Sequence, residues 1–172
     1  MFYANITSLS PHAKNYIVNM DPSINVLALG EIHKDDSLSV NSFFNKCGWK
    51  MAYNKPEPTT ALNHGGEGVA TRSHIHAREV DNDILNAISD HFNTNIRFAA
   101  KILSVRRYDI LVISVYLWDS EGFSSRNSCI MQQIHMLASL IGLPFVCMGD
   151  FNIHAQEMQD CLLYTSPSPR DS

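Results

Sequence analysis

Gly149-Asp-Phe-Asn152 places a carboxylate and a carboxamide two residues apart, directly after Phe145–Met148, an apolar run that reads as a buried strand. On a continuing strand the two side chains share one face. The pair suits water activation: Asp150 can accept a proton, and Asn152 can orient a nucleophile or a phosphate oxygen. Three further positions have the same character. Asn5, Glu31 and Tyr116 each stand at or near the end of an apolar, β-prone stretch. A carboxylate in the position of Glu31 calls for a cation or for water. Singly, each has an ordinary reading. Asp and Asn are turn residues, Glu31 can end a strand in solvent, and Tyr116 can be a core aromatic with its hydroxyl at the rim.

The elements that must position these groups can be read from pattern. Phe2–Ile6 is β-prone, and Ser8 or Ser10 caps a helix opening at Pro11. Ile24–Gly30 reads as a strand leading into Glu31, and Asp35-Asp36 opens a helix that ends at Gly48. Lys50–Asn54 and Val69–Arg72 read as strands, separated by a polar loop from Asn54 to His64 and the glycines Gly65, Gly66 and Gly68. No Lys-Ser/Thr follows those glycines, so they make no nucleotide-binding loop. Val80–Phe92 has helical spacing, and two strands, Ile96–Val105 and Asp109–Trp118, meet at Arg106-Arg107-Tyr108 as a hairpin. Ser124–Ile141 is the clearest helix, with Ile130, Ile134, Leu137, Leu140 and Ile141 on one side, and Gly142-Leu143-Pro144 stops it. The class is mixed α and β.

The bulk properties bound the function. The chain has 172 residues, 45% of them hydrophobic, and a net charge of -4. That length carries a real core, and the balance opposes a general nucleic-acid coat, which should be basic. Arg97, Lys101, Arg106 and Arg107 form the one local basic cluster, read here as a solvated strand edge. No apolar run approaches a membrane span, and no signal peptide opens the chain. Cys47, Cys129, Cys147 and Cys161 lack paired spacing, which points to a reducing, intracellular compartment, with Cys147 a buried thiol. His74 and His76 would share a strand face, but no third ligand for zinc lies near them.

Taken in order, the stretches resemble the endonuclease/exonuclease/phosphatase superfamily. Ala4-Asn5-Ile-Thr-Ser-Leu9 is similar to its opening "WNvNsL", with Ala4 for Trp and Thr7 for the second Asn. Leu29-Gly30-Glu31-Ile-His33 resembles "LQETh", with Gly30 for Gln, and Gly65–Ala70 resembles "GGvAi", with Glu67 and Gly68 as departures. Ser114-Val-Tyr116-Leu resembles "nvYaP", and Gly149-Asp-Phe-Asn152 matches "GDFN" in full. Tyr116–Gly122 and Leu143–Asn152 look most like endonuclease regions of non-LTR retrotransposon polyproteins. The resemblance implies an α+β fold of DNase I type, a truncated four-layer α/β/β/α sandwich over residues 1–160. It implies a Mg²⁺ ion, with Mn²⁺ as the alternative, held by Glu31 with Asn5 near it, and His33 at the rim. Asp150 would activate water, and Asn152 and Tyr116 would hold the phosphate. DNA is the implied partner and the nucleus the implied location. No membrane and no nucleotide cofactor is implied, and oligomeric state is unread. Two other readings fit the same motifs: a small-molecule or phosphoinositide phosphatase, and a nucleic-acid-binding module whose site has degraded.

Cys161–Asp171 reads CLLYTSPSPRD, which resembles the in-frame translation of a transposon-based sequencing adapter. Residues 161–172 are accordingly expected to be a non-native tail. On that expectation the natural sequence is cut near Asp160, before the family's closing "SDH" segment with its acid and His. The prediction is that the 172-residue chain is nearly inactive and prone to aggregate. Loss of one transition-state donor costs about 100- to 1,000-fold in rate. A soluble, cooperative monomer that nicks DNA with Mg²⁺ would overturn it.

Overall fold

The computed structural model describes residues 1–57 and 65–153. The larger part of the Asn54–His64 loop, and the tail expected to be non-native, lie outside the described residues.

Each helix begins where a short polar side chain can accept from the first free backbone N–H groups. Strand β1 (Phe2–Asn5) leads to α1 (Pro11–Val18), where Ser10 accepts from Ala13 N and Pro11 opens the first turn. Strand β2 (Val26–Gly30) leads to α2 (Ser37–Lys46), whose cap Asp36 accepts from Leu38 N and Ser39 N. Then come β3 (Trp49–Asn54), β4 (Glu67–Arg72) and β5 (Ala77–Glu79). Helix α3 (Asn82–Phe92) is capped by Asp81, and β6 (Phe98–Val105) and β7 (Tyr108–Tyr116) form the hairpin expected from sequence. Helix α4 (Ser125–Ile141), capped by Ser124, stops at Gly142, whose φ of 65° is one that glycine adopts without a Cβ penalty. Strand β8 (Phe145–Asp150) follows.

The strands form two four-stranded sheets, in the orders β1-β2-β4-β3 and β5-β6-β7-β8. Side-chain alternation assigns every strand two faces. On one sheet, Leu27, Leu29, Trp49 and Met51 pack with Ile17 of α1 and Phe44 of α2. On the other, Phe98, Ile113, Val115 and Leu117 pack with Ile88 of α3 and Ile134 and Leu137 of α4. Between the sheets lies a smaller cluster of Val26, Val69, Ala99, Leu103 and Val112. The layers are therefore α/β/β/α, as the motifs implied.

Three expectations need correction. Arg97 and Lys101 are not a solvated edge: they are 5% and 3% exposed. Both share the parity of Ala99 and Leu103 on β6, so both turn inward between the sheets. Lys101 Nζ donates to Lys50 O at 2.7 Å and to Thr71 Oγ1 at 3.1 Å, and burial pushes its ammonium down to about 8. Second, Phe145 and Val146 are 52% and 38% exposed rather than core, because β8 pairs only with β7 among the described residues and lies at a sheet edge. Third, Leu140 is exposed and does not belong to the inner side of α4. The expected buried thiol is half-buried by exposed area, yet Cys147 packs against the α3–α4 side and burial pushes its thiol up to about 12.

The fully buried Phe44 joins α2 to its sheet. Phe44→Ala is expected to cost about 3–5 kcal/mol, read as a lower midpoint in a denaturant titration. Val105→Ala, at an exposed strand end, should change the midpoint little.

Candidate active site

Strand β1 runs parallel to β2, and β7 runs parallel to β8. Parallel neighbours end at the same edge, so Asn5 stands opposite Gly30 and Tyr116 opposite Asp150. The two sheets face each other here, and the sequence-predicted residues meet across the gap. Asn5 Nδ2 donates to Asp150 Oδ2 at 3.3 Å, and the Asn5 Oδ1 accepts from Thr7 N at 3.1 Å. Burial first, then the neighbouring Glu31 carboxylate, holds the Tyr116 phenol well above the ordinary value, so Tyr116 keeps its proton. His33 Nε2 lies 3.9 Å from Glu31 Oε1 at the rim.

Asn152 arrives by a different route from the one its spacing suggested. The strand ends at Asp150, and Asn152 has a φ of 48°. The two side chains therefore do not share the face of one continuing strand. Instead the Asn152 Nδ2 donates to Leu117 O at 2.7 Å, which ties the turn after β8 to the exit of β7. Thr7, Glu31 and His33 also have positive φ, at 53°, 56° and 54°. Such backbones cost roughly 1–3 kcal/mol each and persist where surrounding structure enforces them. Leu9 N donates to Ile32 O at 3.1 Å, Ile32 N to Gly66 O at 2.9 Å and His33 N to Gly65 O at 3.1 Å, which holds this segment in place.

Sequence reasoning missed the groups directly below. Tyr3 shares the inward face of β1 with Asn5. Its hydroxyl is closed to solvent, and the Asp150 backbone N–H faces it without closing a hydrogen bond. Burial first, then the charges of Asp150, Glu31 and Glu67, keep that phenol neutral. Glu67, scored only as a departure from a motif, is 1% exposed. Burial pushes its carboxyl up to about 8, against the opposing pull of Arg97. Arg97 Nη1 pairs with Glu57 Oε2 at 2.8 Å, and its guanidinium lies 4.0 Å from the Trp118 ring centre. Arg126 approaches the same ring at 3.8 Å. The parity of Tyr3 with Asn5, and of Glu67 with Val69, was the available signal.

Among the described residues, no three His, Cys, Asp or Glu side chains gather as a metal cluster. What the site offers is Glu31, Asp150 and the Asn5 carboxamide, all oxygen donors. This set fits Mg²⁺, which binds through one or two carboxylates and keeps several waters. No described helix is long and apolar enough to cross a membrane.

No protein-family model and no curated protein sequence matches the chain. Solved structures do. The human Nocturnin catalytic domain aligns with a TM-score of 0.63 at 14% identity, over 95% of this chain and 67% of that one. A 3′ phosphatase from Neisseria, solved with a product DNA hairpin, aligns at 0.55 and 20% identity, over 88% and 56%. The endonuclease domain of TRAS1, a telomere-specific non-LTR retrotransposon, aligns at 0.55 and 11%, over 90% and 59%. The fold is that of the DNase I-like nucleases and phosphatases, and this chain spans 56–67% of the length of these three.

Glu67 makes the stability depend on pH. The folded protein holds its proton up to about pH 8, whereas the unfolded chain releases it near the ordinary 4.5. Between those values the folded state binds more protons, so this group's contribution to stability falls as pH rises through the window. Glu67→Gln should remove that part of the slope. Denaturant midpoints at pH 5 and pH 8 should lie closer together in the variant than in the parent.

Proposed function

We propose that the protein is part of a Mg²⁺-dependent phosphodiesterase, a DNA-nicking endonuclease of the kind carried by non-LTR retrotransposon polyproteins, working in the nucleus. The observation that supports this most directly is the contact of Asn5 with Asp150 across the two sheets, with the Glu31–Tyr116 pair alongside. Glu31 and Asn5 would hold Mg²⁺, or Mn²⁺ in its place. The ion, when bound, supplies charge to polarise the phosphate and to ease departure of the leaving oxygen. Asp150 accepts the proton of the attacking water. Tyr116, which keeps its proton, donates to a phosphate oxygen. Asn152 has one N–H committed to Leu117 O, and its remaining amide groups can face the phosphate.

Several neighbours in the fold are phosphatases, among them a 2′,3′-cyclic phosphatase. The net charge of -4 favours a small phosphate ester over duplex DNA, so a small-molecule or phosphoinositide phosphatase is the second reading. The experiment is nicking of supercoiled plasmid by a full-length clone with Mg²⁺. Metal-dependent nicking is expected, abolished by chelation and reduced about 100- to 10,000-fold by Asp150→Ala. Phosphate release from inositol lipids with the plasmid left intact selects the phosphatase. Plasmid binding without metal-dependent cleavage selects the degraded binding module.

A further inference from the structure

The Tyr3 hydroxyl, closed to solvent, has no role in the chemistry described so far, and its surroundings are specific. A Cβ placed on Gly30 would lie 2.7 Å from Tyr3 Oη, closer than such atoms approach. The next atom of that ring, Cζ, would be 3.6 Å away, an ordinary contact. Only the hydroxyl, then, needs the space that Gly30 leaves. Gly30 is the residue before Glu31, and it pairs in register with Asn5. The hydroxyl thus stands where the backbone of Glu31, the backbone of Asp150 and the base of Asn5 come together. Two facing sheets meet at that point, and among the described residues no apolar cluster fills the gap there: the central cluster of Val26, Val69, Ala99, Leu103 and Val112 lies deeper. A hydroxyl shut from solvent without a hydrogen-bond partner is unfavourable unless something else engages it.

We propose that Tyr3 is a positioning residue for the site, spacing the Glu31 and Asp150 carboxylates for a divalent cation through a hydroxyl that occupies the volume Gly30 vacates. Gly30 and Tyr3 are a matched pair, since any side chain at position 30 expels the hydroxyl. The departure from Gln at position 30 is then tied to the Tyr at position 3. Tyr3 acts through its neighbours and touches neither substrate nor reacting atoms. The hydroxyl can accept from the Asp150 N–H and donate to a water shared by the two carboxylates, as outer partners of metal ligands do. This role rests on the metal reading of the site given above.

The test is Mn²⁺ binding to the full chain, by calorimetry and by the electron paramagnetic resonance of the free ion, with thermal melts in parallel. Tyr3→Phe removes an unpartnered buried hydroxyl, so Tm is expected to hold or rise. Its Mn²⁺ affinity is expected to fall about 10- to 100-fold. Gly30→Ala should lower both Tm and affinity. The double variant Tyr3→Phe/Gly30→Ala lacks the colliding oxygen, so Tm should recover while affinity stays low. Space filling alone predicts instead that affinity follows Tm in every variant. The proposal is overturned if Tyr3→Phe binds Mn²⁺ as the parent does, or if the double variant regains affinity with stability. A parent chain that binds no Mn²⁺ sinks the metal reading itself, and this role with it.

Discussion

Everything at the candidate site depends on two parallel strand pairings. A parallel pair cannot close with a tight turn and needs a crossover, usually a helix. Helix α1 provides it between β1 and β2, and α4 between β7 and β8. Each unit sends two strand ends out at one edge, with its helix on the outer face. Because the sheets pack face to face, the four ends meet. Asn5, Glu31, Tyr116 and Asp150 come from those ends. Reversing either pairing would send half of the site to the far side of the sandwich.

The same constraint explains why polar groups collect between the sheets. The helix-covered faces carry the two larger apolar cores, so the inner faces need not be wholly apolar. At the deep end, Val26, Val69, Ala99, Leu103 and Val112 close the gap. Lys101 and Thr71 lie at that deep end, in register with Val112 and Val26, and toward the site the gap holds Glu67, Ser114, Tyr3 and Asn5. Ser114 Oγ donates to Leu29 O at 3.0 Å and so links one sheet to the other. Such groups are costly to bury without partners, and a fold that keeps Glu67 and Arg97 there is a high-stakes arrangement. The left-handed backbones of Thr7, Glu31, His33 and Asn152 cluster at the same end. Strain of that kind collects where side chains are held in position for a purpose.

The open edge has its own consequence. Strand β8 exposes Phe145 and Val146, and Leu140 of α4 is exposed nearby in sequence. Among the described residues this edge is unpaired, and an apolar edge of that kind invites another strand. In the three solved structures above, the matched region is 56–67% of the chain.

Much of this was legible in order along the chain. The caps Ser10, Asp36, Asp81 and Ser124, the Gly142 stop and the β6–β7 hairpin follow from local chemistry, which needs no distant partner. The strand-end positions of Asn5, Tyr116 and Asp150 were legible too, because strand-end motifs are short and contiguous. Other features depended on what lies across the gap. The charged side chains of Arg97 and Lys101 looked like an edge, since pattern along a strand reveals alternation but not which face is covered. Phe145 and Val146 looked like core, since an apolar run does not say whether its strand is central or at an edge. Tyr3 has no motif signal in the sequence and Glu67 only that of a motif departure, because a single aromatic or acid has no meaning until its neighbours from other strands are known. Sequence alone determined the elements and the residue types at their ends, through backbone preferences that act over a few positions. Which ends meet, and which charges are buried between them, was decided only by tertiary structure, because sheet pairing joins Asn5 to Asp150 across 145 positions of chain.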